Sequence, residues 1–211
     1  MCGIMGYVGH GDKGGALKLN LALFSEISRR GTHASGYMAD GKVVKSMAPS
    51  YSLALSNATK ADFKMANVIM GHARYATHGS PLRMENNHPH VAGKYILVHN
   101  GVIAVKPAGI KLESECDSEI LVRVIERAGG VQQAYKEIME LEGSLAILCW
   151  DGESLWFLRN TGSPGYYVEH GNGIFAASTA EIILDAAKRV GLEIGEPKRF
   201  KAGSLYRFFL Q

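Results

Sequence analysis

The chain of 211 residues carries 23 Lys and Arg against 20 Asp and Glu, a formal charge of +3, with 46% apolar and 20% charged residues. This is ordinary globular composition, long enough for one domain with a real core, and the lack of a Lys/Arg block argues against nucleic-acid or membrane-surface partners. No apolar run approaches the roughly 18–20 residues of a membrane span, no secretion signal opens the chain, and Cys2, Cys116 and Cys149 form no paired framework, so a reducing cytoplasm is expected.

Taken in chain order, MCGIMGYVG places a cysteine directly ahead of a strand-like run. Residues 15–28 then set Leu17, Leu21, Phe24 and Ile27 along one side of a helix that stops at Arg29-Arg30-Gly31. GYMADGKVVK predicts a hairpin turning at Asp40-Gly41, and LAILCWDGESLWFLR predicts another at Asp151-Gly152. Between the two, helices are expected over 118–128 and 131–141, each with apolar residues at helical spacing. A third hairpin turns at Gly171-Asn172-Gly173. Ser178-Thr179-Ala180-Glu181 has the pattern of a capping box for a helix over 179–190, and GSLYRFF reads as a closing strand. Antiparallel strands apolar on both faces, with about four helices, predict an α+β fold: a four-layer αββα sandwich of two antiparallel sheets flanked by helices, in one domain over 1–211.

The position of Cys2 poses a chemical question. A thiol of ordinary pKa, about 8.5, needs a base near neutral pH. Removal of Met1, favoured by a small second residue, would make Cys2 the first residue and its own α-amine, of ordinary pKa about 7.7–8.0, the base. A chain that keeps Met1 has that amine locked in a peptide bond. The bland alternative is a cysteine that merely begins a buried strand.

MCGIMGYVG, RRGTHASGY, GHARYATHGSPL, NNHPH, VHNGVI and CDSEIL follow one another in one order. Together they resemble the class II glutamine amidotransferases, N-terminal-nucleophile (Ntn) hydrolases, and most of all the glutaminase domain of glucosamine-6-phosphate synthase. The resemblance implies an Ntn-hydrolase fold and hydrolysis of L-glutamine to glutamate and ammonia through a Cys2 thioester. Arg74 would grip the α-carboxylate with its planar fork, and Tyr75, Thr77 and His78 would belong to a loop closing over the substrate. Asn100 and Gly101 would form the oxyanion hole, although Asn-Gly is also a common turn. Asp117 would hold the substrate ammonium, although an Asp there also suits a helix N-cap. Arg30, Gly31 and His99 would support the site.

Five of the eight histidines fall between 72 and 99, which raises a metal site. No companion cluster of Cys or carboxylate has ligand spacing, so no metal and no cofactor is expected. His33 stands where relatives usually carry an aspartate, which leaves that turn's hydrogen bonding open, and the segment 102–116 is short and contains Pro107. A single amidotransferase domain with no synthetase domain is expected. The expected partners are therefore L-glutamine and a separate ammonia-accepting synthetase, with self-association into a homo-oligomer left open. Two alternatives remain: an Ntn amidase acting on another amide, and a non-catalytic regulatory subunit that retains Met1.

Overall fold

Residues that alternate along the strands separate three apolar cores, and those cores define the layers. The structure, a computed structural model, describes residues 1–10 and 13–209. Its elements are β1 (Gly3–Gly9), α1 (Lys13–Glu26), β2 (Ala34–Ala39), β3 (Lys42–Ser46), α2 (Ser50–Leu53), α3 (Asn57–Met65), β4 (Val68–Arg74), β5 (His90–Ala92) and β6 (Tyr95–Ile103). There follow α4 (Glu119–Ala128), α5 (Val131–Glu140), β7 (Gly143–Trp150), β8 (Ser154–Arg159), β9 (Tyr166–His170), β10 (Gly173–Ala177), α6 (Ala180–Arg189), β11 (Lys198–Arg199) and β12 (Tyr206–Phe209). One sheet runs β11-β9-β10-β1-β4-β2-β3 and the other β12-β8-β7-β6-β5.

Successive side chains on a strand face opposite ways. Met5 and Tyr7 of β1, with Ile69 and Ala73 of β4, join Leu19, Leu23 and Phe24 of α1 and Ile182 and Ile183 of α6 in one core. Ile4 and Val8, with Val68 and Met70, face Ile96 and Val98 of β6 and Leu148 of β7 in the core between the sheets. Leu97, Leu145 and Ile147 turn to Leu121, Val124 and Ile125 of α4 and to Ala134 and Ile138 of α5. The order helix, sheet, sheet, helix is the predicted αββα sandwich.

The hairpins fall where expected. Asp40 (φ 44°) and Gly41 (φ 88°) make the two-residue turn of β2–β3, and the Asp40 carboxylate also accepts from the Asn67 and Val68 amides, which sets the start of β4. The four predicted helices are present with ends shifted by one to a few residues, and the first finishes in a 3₁₀ turn over Ile27–Arg30. Three details differ from expectation. Helices α2 and α3 were not foreseen; α3 starts where Ser56 Oγ accepts from the Thr59 amide at 3.1 Å. The capping box does not form around Ser178, because its hydroxyl accepts from the Ile4 amide (2.9 Å) and ties β1 to the start of α6. Asn100-Gly101 is no turn: both residues lie inside β6, opposite Ala146 and Leu145 of β7.

Candidate active site

Even-numbered residues of β1, β4 and β6 face the space between the sheets, and Cys2 just ahead of β1, Arg74 at the end of β4 and Asn100 within β6 continue that parity. The two sheets therefore turn Cys2, Arg74 and Asn100 toward the space between them, and the Arg74 charge acts on the Cys2 thiol. Burial pushes the Cys2 thiol up; the Tyr75 N–H, the terminal ammonium and Arg74 pull it down, and Asp117 pushes it up again. Both charges implied for substrate recognition therefore act on the sulfur. The Tyr75 N–H donates to Cys2 Sγ at 3.4 Å, and the thiol faces the Tyr75 carbonyl at 3.5 Å.

Behind the Cys2 thiol, Arg30 Nε donates to the Cys2 carbonyl at 2.7 Å. Gly31 is required by close approach: a Cβ there would lie 2.4 Å from the Arg74 carbonyl carbon and 2.5 Å from the Tyr75 nitrogen. His33 completes this turn, its N–H donating to the Arg74 carbonyl and its Nδ1 accepting from the Ala76 amide, both at 3.0 Å.

Arg74 is buried, and its guanidinium gathers the following loop: Nη1 donates to Asn87 Oδ1 at 2.7 Å, and Nη2 to the carbonyls of His78 and Gly79. Two of its five N–H groups thus hold the 75–80 loop from below and a third holds Asn87, a task the sequence did not disclose. Tyr75, Thr77 and His78 are all exposed on that loop. His78 Nδ1 lies 3.7 Å from Asp117 Oδ1, an ion pair when the imidazole is protonated.

Asp117 is not the N-cap of α4; Ser118 holds that position. Its Oδ2 instead accepts from the Ile103 amide at 2.7 Å, which fixes the carboxylate against the end of β6. That bond also locates a second donor. Leu145 exchanges its backbone groups with Asn160, its N–H going to the side-chain oxygen and its carbonyl to the N–H. Both therefore point away from β6, and Gly101, the register partner of Leu145, points its own N–H away from β7. On that edge, beyond the reach of β5, the His99 carbonyl meets His72 Nε2 at 3.0 Å and the Ile103 amide meets Asp117. Gly101 N–H is aimed between them. Only glycine fits there: φ is 156° and a Cβ would fall 1.9 Å from the Ser144 carbonyl oxygen. Asn100 is buried with Nδ2 unpartnered among the described residues.

His99 supports β6 from within. Its Nε2 donates to the Ser144 carbonyl (3.2 Å), so Nδ1 accepts from Ser118 Oγ (2.8 Å), and burial keeps the ring neutral despite the pull of Asp117. The short 102–116 segment is held by Glu119, whose buried carboxylate accepts from the Glu113 and Ser114 amides and pairs with Arg123. Asn86 joins it to the loop, accepting from the Glu115 amide and donating to the Ser80 carbonyl. Asn86, Asn87 and Glu119 are the positioning residues missed at the sequence level; the only signal was the Asn pair of NNHPH.

The fold does bring His88, His90 and Cys116 together, with donor atoms within 4.8 Å of one another. That Cys116 neighbours the two histidines is what sequence spacing did not reveal. Burial drives all three histidines 72, 88 and 90 toward the neutral form, and Lys45 and Arg74 press His90 further down, to about 3, against the pull of Glu119. Two nearby cations oppose a divalent ion, and no metal is assigned to the cluster.

No family model matches the chain. The glutamine–fructose-6-phosphate aminotransferase (isomerizing) of Aquifex aeolicus is 32% identical over 162 residues, 70% of this chain and 27% of the relative. That of Chlorobaculum tepidum is 31% identical over 222 aligned positions, 93% of this chain and 35% of the relative. The chain thus spans roughly a quarter to a third of the length of the curated relatives it matches. In fold it is similar to the glutamine phosphoribosylpyrophosphate amidotransferase of B. subtilis, with a TM-score of 0.75 at 21% identity over 98% of this chain and 47% of that one.

Proposed function

We propose, on the premise that this chain is a class II glutamine amidotransferase domain of the Ntn fold, that it hydrolyses L-glutamine to glutamate and ammonia through Cys2. Once Met1 is removed, the neutral α-amine of Cys2 takes the thiol proton and Sγ bonds to the side-chain carboxamide carbon. The carbonyl oxygen takes the electron pair and is held by Asn100 Nδ2 and Gly101 N–H, a pair of donors of which losing one typically costs about 2.7–4 kcal/mol of barrier. The ammonium returns its proton to the departing nitrogen, ammonia leaves, and water then cleaves the thioester with the amine again as base. Arg74 and the Asp117 carboxylate bind the amino-acid head, and Tyr75, Thr77 and His78 close over it.

The observation that carries this reading is that the Asp117 carboxylate, fixed by the Ile103 amide on the sheet edge toward which Gly101 turns its N–H, acts together with Arg74 on the Cys2 thiol. Ammonia would pass to an acceptor site outside these residues, on a separate synthetase, in a reducing compartment. An amidase acting on an amide without the amino-acid head gains support from one fact, the commitment of Arg74 to Asn87 and the loop carbonyls. The test is glutamate and ammonia release by protein whose intact mass shows Cys2 at the terminus, with and without candidate synthetases. Glutamine turnover that disappears in Cys2→Ala supports the proposal. Turnover only of amides lacking the α-carboxylate, or none together with no labelling of Cys2 by an electrophilic glutamine analogue, rejects it.

A further inference from the structure

We infer that His33 is the positioning residue of the substrate loop, acting as an uncharged hydrogen-bond acceptor through Nδ1; this rests on the glutaminase reading above. His33 brackets Tyr75 from both sides. Its own N–H donates to the Arg74 carbonyl, its Nδ1 accepts from the Ala76 amide, each at 3.0 Å, and its ring stacks on the Tyr75 ring at 4.9 Å with 28° between planes. The residue held in this way carries both backbone contacts to the Cys2 sulfur. Tyr75 and Ala76 are also the first residues beyond β4, and they lead to His78, whose Nδ1 lies near Asp117.

An exposed imidazole is an unusual choice for such a bond, because Nδ1 accepts only while it carries no proton. The neutral ring must therefore be the Nε2–H tautomer. Nδ1 stands at the same number of bonds from Cα as Oδ1 of Asp or Asn. A short side-chain acceptor at 33 can thus reach the Ala76 amide, and among the described residues no other side chain bonds that amide.

Three variants separate the acceptor from the stack. His33→Phe keeps an aromatic ring against Tyr75 and has no acceptor, His33→Asn keeps an acceptor and loses the ring, and His33→Ala loses both. Amide exchange at Ala76, read by NMR on the processed full chain, is expected to accelerate about fivefold or more in the Phe and Ala variants, the factor carried by one neutral hydrogen bond, and to stay near the parent rate in the Asn variant. Long-range 15N correlation should report the Nε2–H tautomer for the parent His33. The KM for glutamine should rise by a similar factor in the Phe and Ala variants, with kcat within twofold, and recover in the Asn variant. Unchanged exchange at Ala76 in the Phe and Ala variants, an Nδ1–H tautomer, or equal loss in all three variants overturns the inference. If no protein turns over glutamine, the functional reading fails while the exchange and tautomer results still judge His33.

Discussion

On the proposed glutaminase reading, Asp117 does two jobs with its two carboxylate oxygens, and substitution can pull them apart. Oδ2 accepts from the buried Ile103 amide at 2.7 Å, while Oδ1 faces the loop near His78. Asp117→Asn retains an oxygen able to accept from that amide and removes the charge offered to the substrate ammonium. A hydrogen bond to a charged group contributes about 1.5–3 kcal/mol, so the KM for glutamine should rise about 10- to 150-fold with the melting temperature within a degree or two of the parent. Asp117→Ala also strands the Ile103 N–H, at a cost of about 1–3 kcal/mol. For a domain of this length, each kcal/mol moves Tm by about 2–4 °C. The Ala variant should therefore melt about 2–12 °C lower on top of its KM defect. Steady-state glutamine kinetics and thermal unfolding of both variants provide the assay. A twofold or smaller KM change in the Asn variant, or the same Tm loss in both, would refute the division of labour.

Gly101→Ala should lower both kcat and stability, because its Cβ must displace the Ser144 carbonyl from 1.9 Å; an unchanged urea midpoint would contradict the close approach. In a chain that retains Met1, the raised Cys2 thiol should make iodoacetamide labelling of that peptide keep climbing above pH 8.5, where an ordinary cysteine has reached half its maximum. Acid should unfold the protein early. His72, His88 and His90 are held neutral by burial, so below pH about 6.5 the unfolded chain binds protons that the native state refuses, and stability falls with pH. For His90, whose native value is about 3, the loss by pH 5 is about 2 kcal/mol, following 1.36 kcal/mol per pH unit. Urea midpoints that fall between pH 7 and 5, and fall less in His90→Gln, are the expected result.

The legible parts of the fold were those with local causes. Asp40-Gly41 turns because the two residues themselves adopt the needed backbone, with φ of 44° and 88°, and the Asp151-Gly152 loop turns on Gly152 at φ 99° and an Asp151 carboxylate that accepts from the Glu153 and Ser154 amides. Helix α4 ends at Gly129 in a left-handed conformation for the same reason. The layering followed from strands apolar on both faces. Helices α2 and α3 escaped notice because SYSLALSNATKADFKM has weak apolar periodicity, and their burial depends on Phe63 finding Phe24 and Tyr37. The capping box failed for a related reason: its serine found a stronger long-range use against Ile4.

The same division holds for the site. The order of six short motifs by itself determined which side chains to consider, because each is a run of neighbouring residues that linear sequence displays. Only the tertiary structure decided what they do to one another. Whether Gly101 points its amide to the Asp117 edge depends on Leu145 spending its backbone on Asn160. Whether Arg74 shapes a loop depends on the carbonyls of His78 and Gly79 folding back beneath it. Whether Cys116 meets His88 and His90 depends on how 102–116 is pinned by Glu119. Hydrogen bonds and charge act over a few ångströms of space, and residues distant in sequence acquire those distances only when the two sheets close on each other.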